Sequence, residues 1–559
     1  MTPDKPKPAK ASATAGQGPS KSAATGLPGM PKPPLPGPPS APKAPAPVAG
    51  PLPPLFRRVD WLAFGLTTLL VFIGYYLTLA PDLTLEDSGE LAVGSFYAGV
   101  PHPPGYPVWT LYTWLFTLLP VSNIAYRVAI SSAVAGAIAS GLLALMVSRG
   151  SSMMLEGVTE FKNIERRWEN LICLVSGFVA GMLMGFNGFM WSQAVIVEVY
   201  TLSVLSLTGV LCCLLRWLYA PSQRRYLYLG FFLFGICFNN HQSLIVAAMA
   251  IEVAVTAVQA KLGRDLFFGN VIFYLLGLVA NLSVLQGNVP LQAIYHVIGL
   301  GSIAACAWLT IKTKKLFTEW KSCLISLGAF LLGASFYLYM AVASMTNPPM
   351  NWGYPRTVTG FVHAFTRGQY ERIHPTAGVG TTTLEVLGSF FSRFTGQVLL
   401  LKDGVVLEFS WVYILIGLIP FLFFTRLQVR ERAWIIGLSA FYFVLGPGLL
   451  ILLNPATDRQ SLDLNKPFFT ASHVLIAMAI GYGLTLLGGT LLTQYQKFRF
   501  WILGGIAVAV AFALYALTDT LSKFFGDQSG SGIGLLFKST GQAFALGQYR
   551  PEVYAAYLL

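Results

Sequence analysis

Leu83-Thr-Leu-Glu-Asp-Ser-Gly-Glu-Leu91 comes directly after an apolar run from Trp61 to Ala80, and this junction decides the fold. A run of about 20 apolar residues makes a helix that crosses roughly 30 Å of hydrocarbon. The three carboxylates that follow, on Glu86, Asp87 and Glu90, are costly in lipid and belong in water or in a reaction site. Pro101-His-Pro-Pro-Gly-Tyr-Pro107 lies in the same polar interval. Its prolines hold the backbone away from helix, so His102 sits in a loop of one shape.

The rest of the chain repeats the pattern. It is 54% hydrophobic and 11% charged, against about 25% charged for an average soluble protein. Apolar runs lie near 61–80, 123–148, 171–190, 195–218, 226–241, 242–258, 266–285, 290–311, 322–343, 411–425, 433–453, 469–490 and 500–518. The expectation is an all-α polytopic membrane protein with 12 or 13 transmembrane helices. The two counts differ over short pairs such as 226–241 and 242–258.

The net charge of +13 does not mark a nucleic-acid binder, because six lysines lie in the first 55 residues and most other cations sit between spans. With Arg57 and Arg58 inside, the inner side holds 20 Lys/Arg and the outer side 11, the tail excluded, as the positive-inside rule asks. Residues 1–55 hold half of the 34 prolines, mixed with Ala, Gly, Ser and Lys, and read as a disordered cytoplasmic tail. A membrane body at 56–520 follows, with outer loops at 81–122 and 344–410, and then a short outer segment, 521–559. Within the first loop, Tyr106–Leu119 is too short to cross and reads as an interfacial helix. The six cysteines lie in or beside apolar spans without metal-ligand spacing, and read as small packing residues.

Alternation of the spans puts five polar segments on one side: 83–107, 191–194, 239–242, 346–375 and 454–467. Scatter would divide them between the faces. Their co-location points to one site at the outer membrane surface.

Asp87 and Glu90 are three apart and share a face where a helix starts near Asp87. Two readings stay open. Asp87-Ser-Gly-Glu90 is a fair helix N-terminus, with an acid at the cap and another three later. Alternatively, one carboxylate takes a proton from an incoming hydroxyl or amine, while the second orients it or holds a divalent cation. Asp87 is then the base, with Glu86 and Glu90 in support. No metal cluster stands out, and no other cofactor is called for. His102, near Tyr106, is either a binding residue or a hydrogen-bonding one. Asn351, Trp352, Arg356 and Arg367, with Arg372, suit a cradle for a phosphate and a sugar, since guanidinium forks match phosphate oxygens. The plainer reading is a solvated loop whose rings anchor at the headgroups. Asp458, Arg459 and Lys466 add a second phosphate contact or internal salt bridges. Glu198, Asn240 and His241 line the cavity or satisfy groups between helices.

Together these residues resemble the GT-C glycosyltransferase superfamily: an acidic pair in the first outer loop, His-Pro-Pro, an interfacial helix, and Tyr126-Arg127 opening the next span. The fuller set is Glu86-Asp-Ser-Gly-Glu-Leu91, Pro101 to Pro107, Trp191-Ser-Gln-Ala194 with Glu198-Val-Tyr200, Asn240-His241, Asn347-Pro-Pro-Met-Asn-Trp-Gly353 with Pro355-Arg356, and Asp458-Arg-Gln460. It is similar to a bacterial multi-pass family related to a eukaryotic multi-pass protein O-mannosyltransferase. The resemblance implies a GT-C-like bundle in a bacterial inner membrane. It also implies inverting transfer of a sugar, mannose being the first candidate, from a polyprenyl-phosphate-linked donor to a hydroxyl of a protein or glycan at the outer face. Asp87 is then the base, Arg356 and Arg459 face the donor phosphate, and Arg127 joins the binding positions. A transporter or lipid-linked-sugar flippase is the alternative, since it has a similar span count. Such proteins place their sites at midplane, often between repeats.

Overall fold

The computed structural model describes residues 54–84, 87–280, 289–370, 382–454 and 465–524. Glu86, Arg372, Asp458 and Arg459 lie outside the described residues, as do nearly all of the tail and the segment from 525 onward. Among the described residues the chain is all-α, and one isolated parallel bridge joins Val100 to Asn351. α1 (Arg58–Leu77) leads through the short α2 (Ser88–Phe96) and α3 (Pro107–Thr117) to the long α4 (Ile124–Gly157). There follow α5 (Arg166–Gly185), α6 (Gly188–Ala194), α7 (Tyr200–Tyr219), α8 (Arg225–Asn240) and α9 (Ala247–Val258). The middle of the chain forms α10 (Ala260–Val279), α11 (Val289–Thr313), α12 (Trp320–Ala334), α13 (Leu338–Met345) and α14 (Val358–Phe365). Last come α15 (Thr383–Leu422), α16 (Val429–Phe443), α17 (Leu449–Leu453), α18 (Thr470–Thr493) and α19 (Tyr495–Phe524).

α4 is the central post. Its Ala, Gly and Ser residues are buried along most of its length, and α1, α5, α7 and α18 pack around it. Lipid tails are as apolar as leucine, so helix association here rests on close packing of small residues. A Cβ on Gly177 of α5 would lie 2.6 Å from the Ala144 carbonyl oxygen, so this approach of α5 to α4 needs glycine. Large apolar side chains such as Leu69, Leu77, Val279 and Ile311 point outward instead, as the lipid-facing surface of a bundle does.

Ten helices among the described residues are long and apolar enough to cross a membrane. Three further expected spans are also helical: 226–241 is the 16-residue α8, 242–258 forms a shorter apolar helix, and 500–518 lies within the 30-residue α19. One span is longer than the sequence suggested. The expected loop 344–410 contains α14, and the apolar helix Phe391–Leu422 begins well before the predicted start at 411. The charges that hid it are accommodated by partners in the fold. Lys402 and Asp403 pair at 2.9 Å, and Glu408 accepts the Gly188 N–H at 2.6 Å. Ser410 then leaves helical geometry, with φ 57° and ψ 160°.

Candidate active site

The first polar interval folds as a helix, a proline loop and a second helix. Asp87 stands before α2, but its side chain makes no capping hydrogen bond, so the cap reading fails for this carboxylate. It is left 57% exposed. Glu90, one turn on, does not reach back to the helix start. Its Oε1 accepts the main-chain N–H of His102. In Pro101-His-Pro-Pro only His102 carries an N–H, so this is the one main-chain donor those four residues can offer. Gly105 then turns the chain at φ +87°, where a Cβ would run into Met340 Sδ, and its N–H closes onto the His102 carbonyl at 2.8 Å. Tyr106 precedes α3, with Pro107 at the first helical position, where a missing N–H costs nothing.

His102 is buried, and its two nitrogens face different partners. Nε2 and Tyr106 Oη are hydrogen-bonded at 3.0 Å, with the rings edge to face at 5.2 Å. Nε2 is also 3.8 Å from Asp87 Oδ2, and Nδ1 is 3.3 Å from Glu90 Oε1. The second approach is close, but its angle makes no hydrogen bond, and Nδ1 has no hydrogen-bond partner among the described residues. Asp87, Glu90 and His102 thus offer two oxygens and one nitrogen, all within 4.8 Å of one another. That donor set suits a proton transfer or a divalent cation.

The polar segment that follows α13 docks directly onto this loop. Val100 donates its N–H to Met350 O at 2.9 Å, and Trp352 donates to Val100 O at 3.0 Å. Tyr339 Oη donates to Ala98 O at 2.5 Å. Gly99 permits the contact, since a Cβ there would lie 2.4 Å from Met350 O. Asn351 reaches Ser344 O at 3.4 Å, while its own Oδ1 is buried without a partner among the described residues. Trp352 is exposed.

The two expected arginines of this segment separate. Arg356 is exposed, hydrogen-bonds Asn347 and lies over the Tyr354 ring at 5.5 Å. Arg367, half-buried at φ 56°, lies over Tyr370 at 4.5 Å, and its charge acts on the Tyr106 phenol. Burial pushes that phenol well above its ordinary value; Arg367 opposes the shift, while Glu198, Tyr370 and Asp87 add to it. Tyr106 is therefore a point about which groups from three segments gather.

The wall opposite comes from α7 and α8. Glu198 is buried, and its carbonyl accepts from Trp109 Nε1 at 3.1 Å and Ser132 Oγ at 3.2 Å. His241 lies 5.3 Å from the Tyr200 ring and 5.0 Å from Phe468, and its Nδ1 meets Ser243 Oγ at 2.5 Å. Phe468 directly follows the polar segment 454–467, in the short turn of helix Lys466–Phe469. Gln242 ties the wall to the second segment through Phe365 O at 2.9 Å. Asn240 is buried between α8 and α7, where its Nδ2 meets Ser206 Oγ at 3.4 Å.

Residues 87–263 match the family described as "Protein O-mannosyl-transferase TMEM260 N-terminal domain". Over this region the chain is similar to the TMEM260 proteins. It is 28% identical over 181 residues to the mouse "Protein O-mannosyl-transferase TMEM260", covering 32% of this chain and 23% of that protein. To the Dictyostelium discoideum protein of the same name it is 21% identical over 500 residues, 85% of this chain and 51% of that one. The chain therefore spans about half, or less, of the length of these relatives. Among solved structures it overlaps the apo oligosaccharyltransferase of Archaeoglobus fulgidus at a TM-score of 0.37 and 12% identity, over 89% of this chain and 56% of that one. ArnT from Cupriavidus metallidurans, bound to undecaprenyl phosphate, overlaps at 0.23 and 14%, over 79% of each chain.

The region related to the TMEM260 proteins holds Asp87, Glu90, His102, Tyr106, Glu198, Asn240 and His241, while Asn351 and Arg367 lie beyond it. Arg127 also lies within it but is occupied elsewhere. Its Nε, Nη1 and Nη2 donate to Val121 O, Thr117 O and Ser122 O, which clasps the end of α3. His473 is among the buried polar groups that the sequence reading passed over. His473 Nδ1 lies 3.1 Å from Asn187 Oδ1, next to the Glu408–Gly188 contact. The signal that would have found it is an ionisable side chain inside an apolar run.

Proposed function

We propose that this chain is a membrane glycosyltransferase of the GT-C kind. It moves a sugar, with mannose the first candidate, from a polyprenyl-phosphate-linked donor to a hydroxyl of a protein or glycan at the outer membrane face. The observation that carries the proposal is the convergence of an exposed Asp87, an anchored Glu90 and a buried His102 with Arg367 of the second outer segment. The names of the relatives, protein O-mannosyl-transferases, support the same reading.

In this mechanism Asp87 accepts the proton of the acceptor hydroxyl as its oxygen attacks the anomeric carbon. The bond from that carbon to the phosphate oxygen breaks, and the polyprenyl phosphate leaves with the electron pair. Attack opposite the leaving group inverts the anomeric centre. Glu90 holds the His102 loop, and His102 with Tyr106 shapes the floor beneath the sugar. Arg367 is the cation best set to face the leaving phosphate. Most of the rate gain then comes from positioning and charge stabilisation. The Asp87–Glu90–His102 donor set also fits a divalent cation, which would neutralise phosphate charge when bound.

The test is sugar transfer in proteoliposomes given a panel of polyprenyl-phosphate sugars, scored by release of polyprenyl phosphate. Donor-dependent release that Asp87→Asn abolishes supports the proposal. Donor movement between leaflets with no release from any donor would replace it with the flippase reading.

A further inference from the structure

At the other end of α4 and α7, three guanidinium groups surround one ring. The Cζ atoms of Arg149 on α4, Arg216 on α7 and Arg430 on α16 lie 5.2, 5.6 and 5.7 Å from the centroid of Tyr219. From Ser132, which meets Glu198 beside the candidate active site, to Arg149 is about 25 Å of helix. That is close to the hydrocarbon thickness of a bilayer, about 30 Å. The arginines therefore sit near the opposite headgroup level.

Their positive charge is only partly matched. Arg430 pairs with Glu431 at 2.7 Å, whose Oε2 is itself buried without a partner among the described residues. Arg149 is 6% exposed; its Nη1 donates to Ser152 Oγ at 3.2 Å, and its Nε–H is buried with no partner among the described residues. Arg216 gives Nη2 to Gln223 Oε1 at 3.1 Å, while its Nη1 is left the same way. Two other acids reach Arg149 only through the Ser152 hydroxyl: Glu169, which pairs with Arg57 and Arg166, and the exposed Glu156.

Three guanidinium groups against one facing carboxylate, with two buried N–H donors unsatisfied, is an expensive arrangement by itself. A ring face attracts one cation, and three crowd each other around it. An anion with several acceptor oxygens would satisfy the donors and the charge together. Guanidinium groups suit phosphate oxygens best, through parallel N–H bonds.

We propose that Arg149, Arg216 and Arg430, arranged about Tyr219, form a phosphate-binding site at the end of the bundle opposite the candidate active site. The ligand is a phosphate monoester or diester, a chemistry shared by an anionic lipid headgroup and a free phosphate. A second ring, Tyr226, lies 4.7 Å from Arg216 and 4.9 Å from Arg225, and these groups form the mouth of the site.

The test uses the purified full chain in neutral detergent. Native mass spectrometry would count phosphatidylglycerol retained against phosphatidylcholine, and calorimetry would titrate inorganic phosphate. The expected result is preferential retention of phosphatidylglycerol, weakened on the order of tenfold in Arg149→Gln/Arg216→Gln. Arg216→Gln alone, at a partly exposed position, gives the same reading where the double variant does not fold. Inorganic phosphate that binds and displaces the lipid identifies the phosphate group as the ligand; lipid retention without phosphate binding identifies the headgroup. Equal retention of both lipids with no phosphate binding, or binding unchanged in the variants, overturns the proposal.

Discussion

The main-chain N–H of His102 donates to the Glu90 carboxylate, and this bond joins the acidic helix to the proline loop. Glu90 thereby acts on shape, whereas Asp87, exposed and free of capping duty, is available for chemistry. The two carboxylates look alike in sequence and have different jobs in the fold.

Glu90→Ala should therefore destabilise the protein as well as slow it. A hydrogen bond to a charged group contributes about 1.5–3 kcal/mol, so thermal unfolding in detergent should move down and proteolysis between Ala98 and Tyr106 should rise. Unchanged melting and unchanged cleavage would remove Glu90 from its anchoring role.

Asp87→Asn keeps the shape and removes the proposed base. Its melting temperature should match wild type, while sugar transfer should fall by roughly 100-fold or more, the range of general-base catalysis. Near-full transfer in this variant would move the base to another group.

Gly99→Ala tests the docking of the second segment. The added Cβ meets the Met350 carbonyl oxygen at 2.4 Å, and main-chain atoms yield poorly, so the Val100–Asn351 bridge should open. Helix content by circular dichroism should hold, whereas transfer and donor binding both drop.

Arg367→Gln and Arg356→Gln should separate. Arg367 acts on Tyr106, so its loss should raise KM for the donor about tenfold or more. Arg356 is exposed and engaged with Asn347 and Tyr354, and its loss should change KM little. The reverse order would place the phosphate against Arg356.

Chelation distinguishes the two uses of the Asp87–Glu90–His102 group. If it works by proton transfer alone, prolonged EDTA treatment leaves activity intact. Activity lost with EDTA and restored by manganese or magnesium, with Glu90→Gln and His102→Ala both weakening the metal titration, would assign the group to a cation.

Much of the fold was legible because hydropathy in a membrane is a local property. A spanning helix must satisfy its backbone within its own segment, so each apolar run announces itself without knowledge of its neighbours. For the same reason the acidic triplet Glu86, Asp87 and Glu90 stood out at the end of the first run. The helix before the break at Ser410 was not read, although the span expected from 411 begins at that break. Lys402, Asp403 and Glu408 interrupt the apolar run there, and their partners are not all local, since the Gly188 N–H that donates to Glu408 lies 220 residues away in sequence.

What the sequence alone determined, then, is the all-α membrane body, the position of the acidic stretch and the rigidity of the His102 loop. Tertiary structure decided the partnerships: His102 with Tyr106 and Glu90, Val100 with Asn351, Arg367 with Tyr370 and Arg356 with Asn347, and three arginines about Tyr219. These contacts join residues that are far apart in the chain, or equivalent within it. Only packing selects among equivalent arginines and carboxylates, because the selection depends on which side chains share a cavity from which water is excluded.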